Sequence, residues 1–492
     1  MKRKFFALLA ACSAFQAAPA LANPASEKAA ADLFDRIQSD PKLLRMFLKD
    51  MPKGADLHNH ASGAIWAEDY LAWAQDAGFC ADEEGVALTP PPCAQGRSIA
   101  ALVENDTFAF DRLLDAISTR GVQIGVGADE QSGHTQFFRS FERFWPIAGH
   151  SEVQVLASVL RLAQGDRVSY LELMENPSAF RWYAEAPDAP LDTGGLAAAY
   201  AREMAEVPAV ITAAMAEMDE TEAAVRAEFG CASATPDPAC EVALHYLASG
   251  LRNHSPAQVF RLLILCFEMV RQDPRYVGVN FVEPEDWPIS LRDYDLHMAM
   301  FRFLKQQYPE VRLTLHAGEL TFARVPPAQL RNHMAKAIEA GAERVGHGTG
   351  IALEDDALAT MQYMAGKGIA VEINLTSNAV ILGVSGADHP LTLYRRFGVP
   401  VVLSTDDEGL LRTDLTNEYV RAAMEHGLGY RDLKELARAS LTYSFLPDRE
   451  RKVLIERLAE DSERFEKTKV AALADAMRAG PAKGGSAQLL AD

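Results

Sequence analysis

The chain has 492 residues, 49% apolar and 24% charged, which is ordinary for a soluble globular protein and long enough for one α/β barrel with insertions. Its formal charge of −20 would repel a polyanion, so nucleic acid is excluded as an expected partner. The same charge favours neutral or cationic ligands, or it serves solubility alone. No transmembrane helix is predicted beyond the N-terminus.

The first 22 residues are typical of an export signal. Three basic residues precede an apolar stretch, and Ala20, Leu21 and Ala22 form a small-x-small cleavage site. We therefore predict cleavage after Ala22 and a periplasmic or secreted mature chain. Leu9 to Cys12 also resemble a lipoprotein box, which leaves a lipid anchor at Cys12 as the alternative.

Eight short apolar runs rich in Val, Ile and Leu alternate with longer helical patterns rich in Ala, Leu and Glu. This alternation predicts an α/β fold in which helices wrap a parallel sheet, here a (β/α)8 TIM-type barrel. Nearly every run ends in polar or ionisable residues, as expected for an active site at the carboxyl ends of barrel strands. The predicted strands are 53–60, 167–175, 259–267, 275–283, 311–319, 343–349, 369–376 and 399–407.

Helical insertions are predicted after the first and second strands. The segment after the first strand contains helical patterns such as "TQFFRSFERFWPI", and we expect them to cover the barrel mouth. An Ala-rich helical stretch, 194–227, follows the second strand. We assign 23–477 to one barrel domain and 478–492 to a flexible tail.

The cysteines are consistent with export to an oxidising compartment. Cys80 and Cys93 flank one polar, Pro-bearing loop, and Cys231 and Cys240 flank another. A disulfide could close each loop, although sequence does not prove the pairing. Local pairs would leave Cys266 as a free buried thiol.

Histidines and carboxylates end four of the predicted strands, so a closed barrel would bring them to one mouth. The i, i+2 spacing of His58 and His60 points both imidazoles to the same face of a strand. Helix capping explains a single aspartate here, but it does not explain three histidines in one layer. Three imidazoles with one carboxylate suit a single Zn²⁺ that keeps a position open for water. The converging residues are His58, His60, His316, His347, Asp406 and Asp407.

Glu319 follows His316 by three positions and is the candidate proton donor. A metal of this kind lowers the pKa of bound water to about 7. A carboxylic acid in a desolvated pocket can stay protonated until a leaving group needs the proton. Without the metal residues, Glu319 would be interpreted as a capping or surface residue.

Several motifs taken together resemble the adenosine deaminase family, a branch of the metal-dependent amidohydrolases. "MPKGADLHNH", "LHAGE", "RVGHG", "TSN" and "STDD" occur in the family's order between about residues 50 and 445, and an ordered set is more specific than any one motif. The "MPKGA" lead-in, the export signal and the long cysteine-bearing segment are most similar to the secreted, growth-factor-related members. Secreted members are often dimers, so the resemblance leaves a homodimer open.

The resemblance implies hydrolytic deamination of an aminopurine nucleoside, such as adenosine, to the 6-oxo product and ammonia. In this scheme Glu319 protonates the purine at N1, His347 orients or deprotonates the water at the metal, and Asp407 bonds N7. The resemblance also implies one Zn²⁺ per chain, with the ligands His58, His60, His316 and Asp406.

Three residues depart from the family's pattern. Ser62 stands where many members have an acidic residue, Glu283 where glycine is usual, and Glu408 where proline follows the paired aspartates. We expect all three on the substrate side, with Ser62, Glu283 and Asp407 as substrate contacts. Another amidohydrolase reaction on a different heterocycle or amide therefore stays open. A nucleoside-binding module without activity should lack a metal ligand or the acid, and neither is missing.

Overall fold

The structure is a computed structural model that describes residues 24–94, 96–123, 132–186 and 190–479. The predicted signal peptide, 1–22, lies outside the described residues, as does 480–492 of the predicted tail. The last described helix ends at Ala479, two residues beyond the predicted domain boundary. Among the helices in these ranges, none has the length and apolarity that a membrane span requires.

Eight parallel strands in the described ranges form the predicted barrel. Strands β1 to β4 pair in sequence order in one sheet, and β5 to β8 pair in sequence order in another. Parallel bridges between Asn59 and Asp406 and between Val279 and Leu313 join the two sheets into a ring. The strands are β1 (Gly54–His60), β2 (Val168–Met174), β3 (Ala243–Leu251), β4 (Tyr276–Val282), β5 (Thr314–Ala317), β6 (Arg344–His347), β7 (Ala370–Ile373) and β8 (Val401–Leu403).

The third predicted strand is wrong, because 259–267 lies inside the helix Pro256–Gln272. Ser255 caps this helix, accepting from the N–H of Gln258, and the Gln258 side chain completes the capping box. Most of the helix is buried, so its sequence is apolar on all sides and resembles a buried strand. The true third strand, β3, contains His245, Ser249 and Gly250, which weaken its apolar pattern.

Helices surround the barrel and supply both insertions, as predicted. Within the described residues, the α-helices are α1 (Pro24–Ile37), α2 (Pro41–Lys49), α3 (Ala67–Asp76), α4 (Ile99–Asn105), α5 (Thr107–Ala116), α6 (Arg120–Gln123), α7 (Gly133–Ala148), α8 (Glu152–Gly165), α9 (Leu196–Glu203), α10 (Val207–Glu228), α11 (Pro256–Gln272), α12 (Pro288–Gln307), α13 (His333–Glu339), α14 (Ala357–Lys367), α15 (Leu375–Ser377), α16 (Leu391–Arg396), α17 (Leu415–His426), α18 (Tyr430–Thr442), α19 (Asp448–Phe465) and α20 (Ala471–Ala479).

The first insertion also contains a small antiparallel sheet that the sequence did not predict. Its strands are Cys80–Ala81, Leu88–Thr89 and Arg97–Ser98. The Cys80–Cys93 disulfide closes this unit, and Cys231–Cys240 closes the loop after α10, which confirms both local pairs. Cys266 is free and buried in α11.

The apolar core lies between the strands and the surrounding helices, while the barrel interior contains a buried ionic group. Arg344 on β6 donates to Glu172 on β2 and to Glu372 on β7. All three side chains are at most 1% exposed. We call these three side chains the ionic floor. They connect strands across the barrel interior and reach the site described next.

Candidate active site

Four predicted metal ligands converge at the mouth of the barrel. His58 and His60 come from β1, His316 from β5, and Asp406 follows β8. Nε2 of His58 lies 3.1 Å from Nε2 of His316 and 3.2 Å from Oδ1 of Asp406. Nε2 of His60 lies 3.1 Å from the same Asp406 oxygen. One ligand atom from each residue lies within 4.8 Å of all the others, so a single ion could contact all four.

In two of these imidazoles, the Nδ1 atom lies within hydrogen-bond distance of an oxygen acceptor. Nδ1 of His58 lies 2.7 Å from Glu372, and Nδ1 of His316 lies 2.8 Å from Asn280 Oδ1. A ring that donates through Nδ1 keeps its Nε2 lone pair free for a metal, and this is the usual arrangement around ligating histidines. The donor set and its partners therefore fit a zinc-type ion.

The electrostatics of the cluster favour a positive charge at its centre. Burial lowers the pKa of His58, but hydrogen bonds to Asp406 and Glu372 outweigh it and raise that pKa to about 10. Burial and the neighbouring imidazoles lower the pKa of His316 well below its usual value, which favours the neutral ligand form. Burial opposes ionisation of Asp406, yet its bonds to His58 and His60 hold its pKa well below the usual range.

Backbone strain is concentrated at this site. Non-glycine residues rarely adopt positive φ, and strained residues cluster at functional sites. His347 and Asp406 both have a φ of 63°, and Glu283 has a φ of 76°. Gly346, in the "RVGHG" motif, is needed for space, since a Cβ there would lie 2.7 Å from Cε1 of His58.

Glu372 connects the metal site to the ionic floor. One of its oxygens accepts from Thr314 and from Arg344 at 2.6 Å, while the other faces His58. Burial would raise the pKa of Glu372, but Arg344 and His58 lower it to about 2. Glu372 is therefore a carboxylate at any working pH and can hold the Nδ1 proton of His58.

We expect Glu372→Gln to weaken zinc binding by about 10- to 100-fold, the usual scale for a lost partner of a metal ligand. The amide cannot supply the carboxylate that fixes the His58 tautomer. Competition with a chromogenic chelator measures the change. Glu172→Gln is the matched control, because Glu172 binds the other side of Arg344 and makes no bond to His58. Equal loss of zinc affinity in both variants would contradict the assignment.

Glu319 and Asp407 are buried carboxyl groups beside the ligand cluster. Burial, with Asp406 next, raises the pKa of both groups well above their usual values. Both therefore keep a proton in conditions where an exposed carboxyl would lose it. Oε1 of Glu319 and Oδ1 of Asp407 have no hydrogen-bond partner among the described residues, and both residues line the cavity. Oε1 of Glu319 also lies 3.5 Å from Nδ1 of His347. Both carboxyl groups thus keep hydrogen-bonding capacity that a substrate in the cavity could use.

Comparison with known proteins supports the resemblance. Residues 272–461 match the family model described as adenosine deaminase. The matched segment is therefore similar to the adenosine deaminase family. The adenosine deaminase of Klebsiella pneumoniae is 37% identical over 149 residues, which is 30% of this chain and 42% of that protein. The adenosine deaminase of Aliivibrio fischeri strain ES114 is 36% identical over 168 residues, which is 34% of this chain and 46% of that protein. The chain thus spans less than half the length of these curated relatives.

Solved structures similar to this chain share its barrel. The apo N6-methyl-AMP deaminase of Arabidopsis thaliana aligns with a TM-score of 0.55 and 19% identity, over 85% of this chain and 99% of that one. A zinc-bound amidohydrolase from Burkholderia ambifaria aligns with a TM-score of 0.55 and 17% identity, over 88% of this chain and 94% of that one. These likenesses confirm the fold.

The cavity at the barrel mouth occupies about 730 Å³ above the ligand cluster. Ser62 and Glu283 line it, as expected of substrate contacts. The positive φ of Glu283 explains why glycine is usual there, and its carboxylate accepts from the Asn253 N–H at 2.7 Å. The expectation for Glu408 is wrong, because Glu408 lies in a separate small cavity with Asp56.

The wall of the cavity that lies away from the ligand cluster is acidic. Glu152, Glu175 and Glu217 all line it. Burial raises the pKa of Glu175 to about 8, and the charges of Glu152 and Glu217 add to the shift. Arg181 is the only lysine or arginine among the described residues that line the cavity. An anionic group of a ligand would meet carboxylates here.

Sequence reasoning missed the residues that hold the predicted ones in place. Asn280 and Glu372 are polar residues inside apolar runs, which was the available signal. Asn378 belongs to "TSN", and its amide lies 3.0 Å from His347 Nδ1. His389 contacts Asn378 in turn, at 3.0 Å, and no sequence pattern pointed to it.

Proposed function

We propose that the chain is a zinc-dependent hydrolytic deaminase that converts a non-phosphorylated aminopurine nucleoside, adenosine or a similar compound, into the 6-oxo product and ammonia. The observation that carries this proposal is a four-residue ligand cluster with a buried Glu319, whose pKa is raised by burial, in the same cavity. The match of residues 272–461 to the adenosine deaminase family model supports this reaction class. When bound, zinc supplies a Lewis acid and lowers the pKa of water.

Side chains of the cavity would donate protons to the substrate, position the attacking water and exclude bulk water. Burial raises the pKa of Glu319 and so favours its protonated form, which would give its proton to the purine ring at N1. The pKa of Asp407 is raised in the same way, and its carboxyl group would donate to N7. His347 lies in the cavity beside the ligands and would contact the attacking water. The apolar lining, including Phe137 and Trp145, would exclude bulk water from the reacting atoms.

The acidic wall supports a substrate without phosphate. Since like charges brought together cost several kcal/mol, we expect adenosine to exceed AMP by at least about 100-fold in kcat/KM. Ammonia release and the ultraviolet absorbance change measure both rates in one assay. Glu217→Gln should narrow the ratio of the two kcat/KM values, because it removes one acidic side chain from that wall. Equal use of adenosine and AMP would overturn the substrate class.

A second candidate is another C–N hydrolysis by the same machinery. The absence of an acidic residue at Ser62 and the presence of Glu283 favour it, since both line the substrate cavity. A panel of purines, nucleosides and amides, assayed with metal analysis, discriminates the two candidates. Turnover of amides but not of any aminopurine would replace the first proposal with the second.

We also propose that the chain acts outside the cytoplasm. Two disulfides support this location, because such bonds persist in oxidising compartments. Fractionation of cells that make the full chain tests it, and N-terminal sequencing of the mature protein distinguishes cleavage after Ala22 from an anchor at Cys12.

A further inference from the structure

The cavity continues from the barrel mouth into a space between β2 and the helices α8 and α10. Glu172 on β2 faces the barrel interior, where it binds Arg344, so the alternation of strand side chains turns Leu173 outward to the helices. Leu173 lines the cavity together with Leu156 of α8 and Met218 of α10. We call the space between these three apolar side chains the side pocket. It lies outside the ring of strands.

The acidic wall of the cavity, formed by Glu152, Glu175 and Glu217, belongs to the same three elements. Glu175 directly follows β2, Glu152 begins α8, and Glu217 lies in α10. Burial, followed by the charges of Glu152 and Glu217, raises the pKa of Glu175 to about 8. Burial also raises the pKa of Glu152, where the charge of Glu217 outweighs the opposite charge of the exposed Arg181. The side chains that line the cavity therefore do not balance the charge of this wall.

Two buried hydroxyl groups near Glu175 are without a hydrogen-bond partner among the described residues. They are Oη of Tyr246 and Oγ of Ser249, and both residues line the cavity and are at most 6% exposed. Tyr246 stacks on Tyr276, with ring centres 5.2 Å apart, and the Tyr276 hydroxyl donates to the backbone oxygen of Glu175. Asn176 binds both backbone groups of Ser249. Because buried polar groups normally have partners, these two hydroxyls indicate a polar ligand group in the cavity.

An alkyl chain that ends in an ammonium group fits this combination of side chains. The chain would pack against Leu156, Leu173 and Met218, and the ammonium would donate up to three hydrogen bonds to carboxylates and hydroxyl oxygens. In the proposed function, the purine edge with C6, N1 and N7 faces the ligand cluster and its two acids. The sugar is attached at N9, on the opposite side of the purine, so it would point away from the cluster.

We propose that the side pocket binds an aminoalkyl group carried by the sugar, so that the preferred substrates are aminopurine nucleosides with a cationic side chain at the 5′ position. This inference rests on the proposed function and narrows its substrate class. The ammonium would pair with the acidic wall and would take no part in the reaction at the purine. Its charge would also stabilise the ionised form of Glu175.

Two substrates of equal length test the charge of that group. 5′-S-(3-Aminopropyl)-5′-thioadenosine ends in an ammonium, and 5′-S-butyl-5′-thioadenosine ends in a methyl group at the same position. At low ionic strength, we expect the ammonium compound to exceed both the butyl compound and adenosine by at least about 10-fold in kcat/KM, the scale of a hydrogen bond to a charged group. Added salt should reduce this excess.

Equal or faster use of adenosine or of the butyl compound by the wild-type chain would overturn the inference. Failure to deaminate any aminopurine, adenosine included, would instead reject the proposed function. The two failures are therefore distinguished within one set of kinetic measurements.

Glu175→Gln should lower the ratio of kcat/KM for the ammonium compound to that for the butyl compound by about 10-fold, because an amide cannot form an ion pair. Both substrates are measured on one preparation, so the ratio does not depend on the fraction of active enzyme. Glu152→Gln should lower the same ratio and replaces the first variant if that one does not fold.

Glu220→Gln is the matched control for these variants. Glu220 belongs to α10, as Glu217 does, but it is exposed. The control removes the same formal charge and should keep the wild-type ratio. A wild-type ratio in Glu175→Gln and Glu152→Gln, or an equal change in Glu220→Gln, would contradict binding of the ammonium at the acidic wall.

Discussion

Replacing Glu319 by glutamine should lower kcat by two orders of magnitude or more while zinc content stays near that of the wild type. The effect is large because burial raises the pKa of Glu319 and so favours the protonated acid, whereas the amide has no proton of comparable acidity to give. Steady-state kinetics with the preferred aminopurine and metal analysis of the same sample measure the two quantities together.

Glu142→Gln is the matched control for Glu319. Glu142 also lines the cavity but belongs to α7, in the first insertion. It should therefore change KM at most, with little effect on kcat. If both variants keep full turnover, the general-acid assignment is wrong; if both lose zinc, the loss of activity does not come from proton transfer.

Replacing His316 by alanine should remove the bound metal and all measurable turnover. His316 supplies one of the three imidazoles of the cluster, and Asn280 orients its ring. Alanine has no ring nitrogen that could bind the metal or Asn280. The metal content should fall from about one ion per chain to near zero, since a set of four protein ligands binds weakly once one of them is missing.

His297→Ala controls for the loss of a buried histidine. His297 lies in α12, is fully buried and packs against Phe281. Its removal should lower the melting temperature without changing the zinc content. Full zinc in the His316 variant, or equal loss of zinc in both, would contradict the ligand set.

The fold was predictable where strand and helix patterns differ in length and polarity. Seven of the eight predicted strands overlap observed ones, since each is a short apolar run with a polar end. The prediction of a strand at 259–267 failed because α11 is buried on most sides and so lacks a polar face. The small sheet around Cys80 was not predictable, since strands of two residues carry no periodicity.

The site was predictable to the extent that its residues stand in short motifs. His58, His60, His316 and Asp406 end their strands, so barrel closure alone brings them together. Their partners could not be predicted in the same way. His58 meets Glu372 across 314 positions of sequence, and such pairings depend on the order of strands in the ring.

The ring is closed between its first and last strands, and this seam runs through the metal site. Across it, the Asn59 amide donates to Thr405, 346 positions later in the chain, beside ligands on both sides. A growing polypeptide therefore offers only part of the coordination sphere until nearly the whole domain has been synthesised. An ion that binds only the closed ring stabilises that ring. Metal uptake would therefore favour ring closure as the last step of folding.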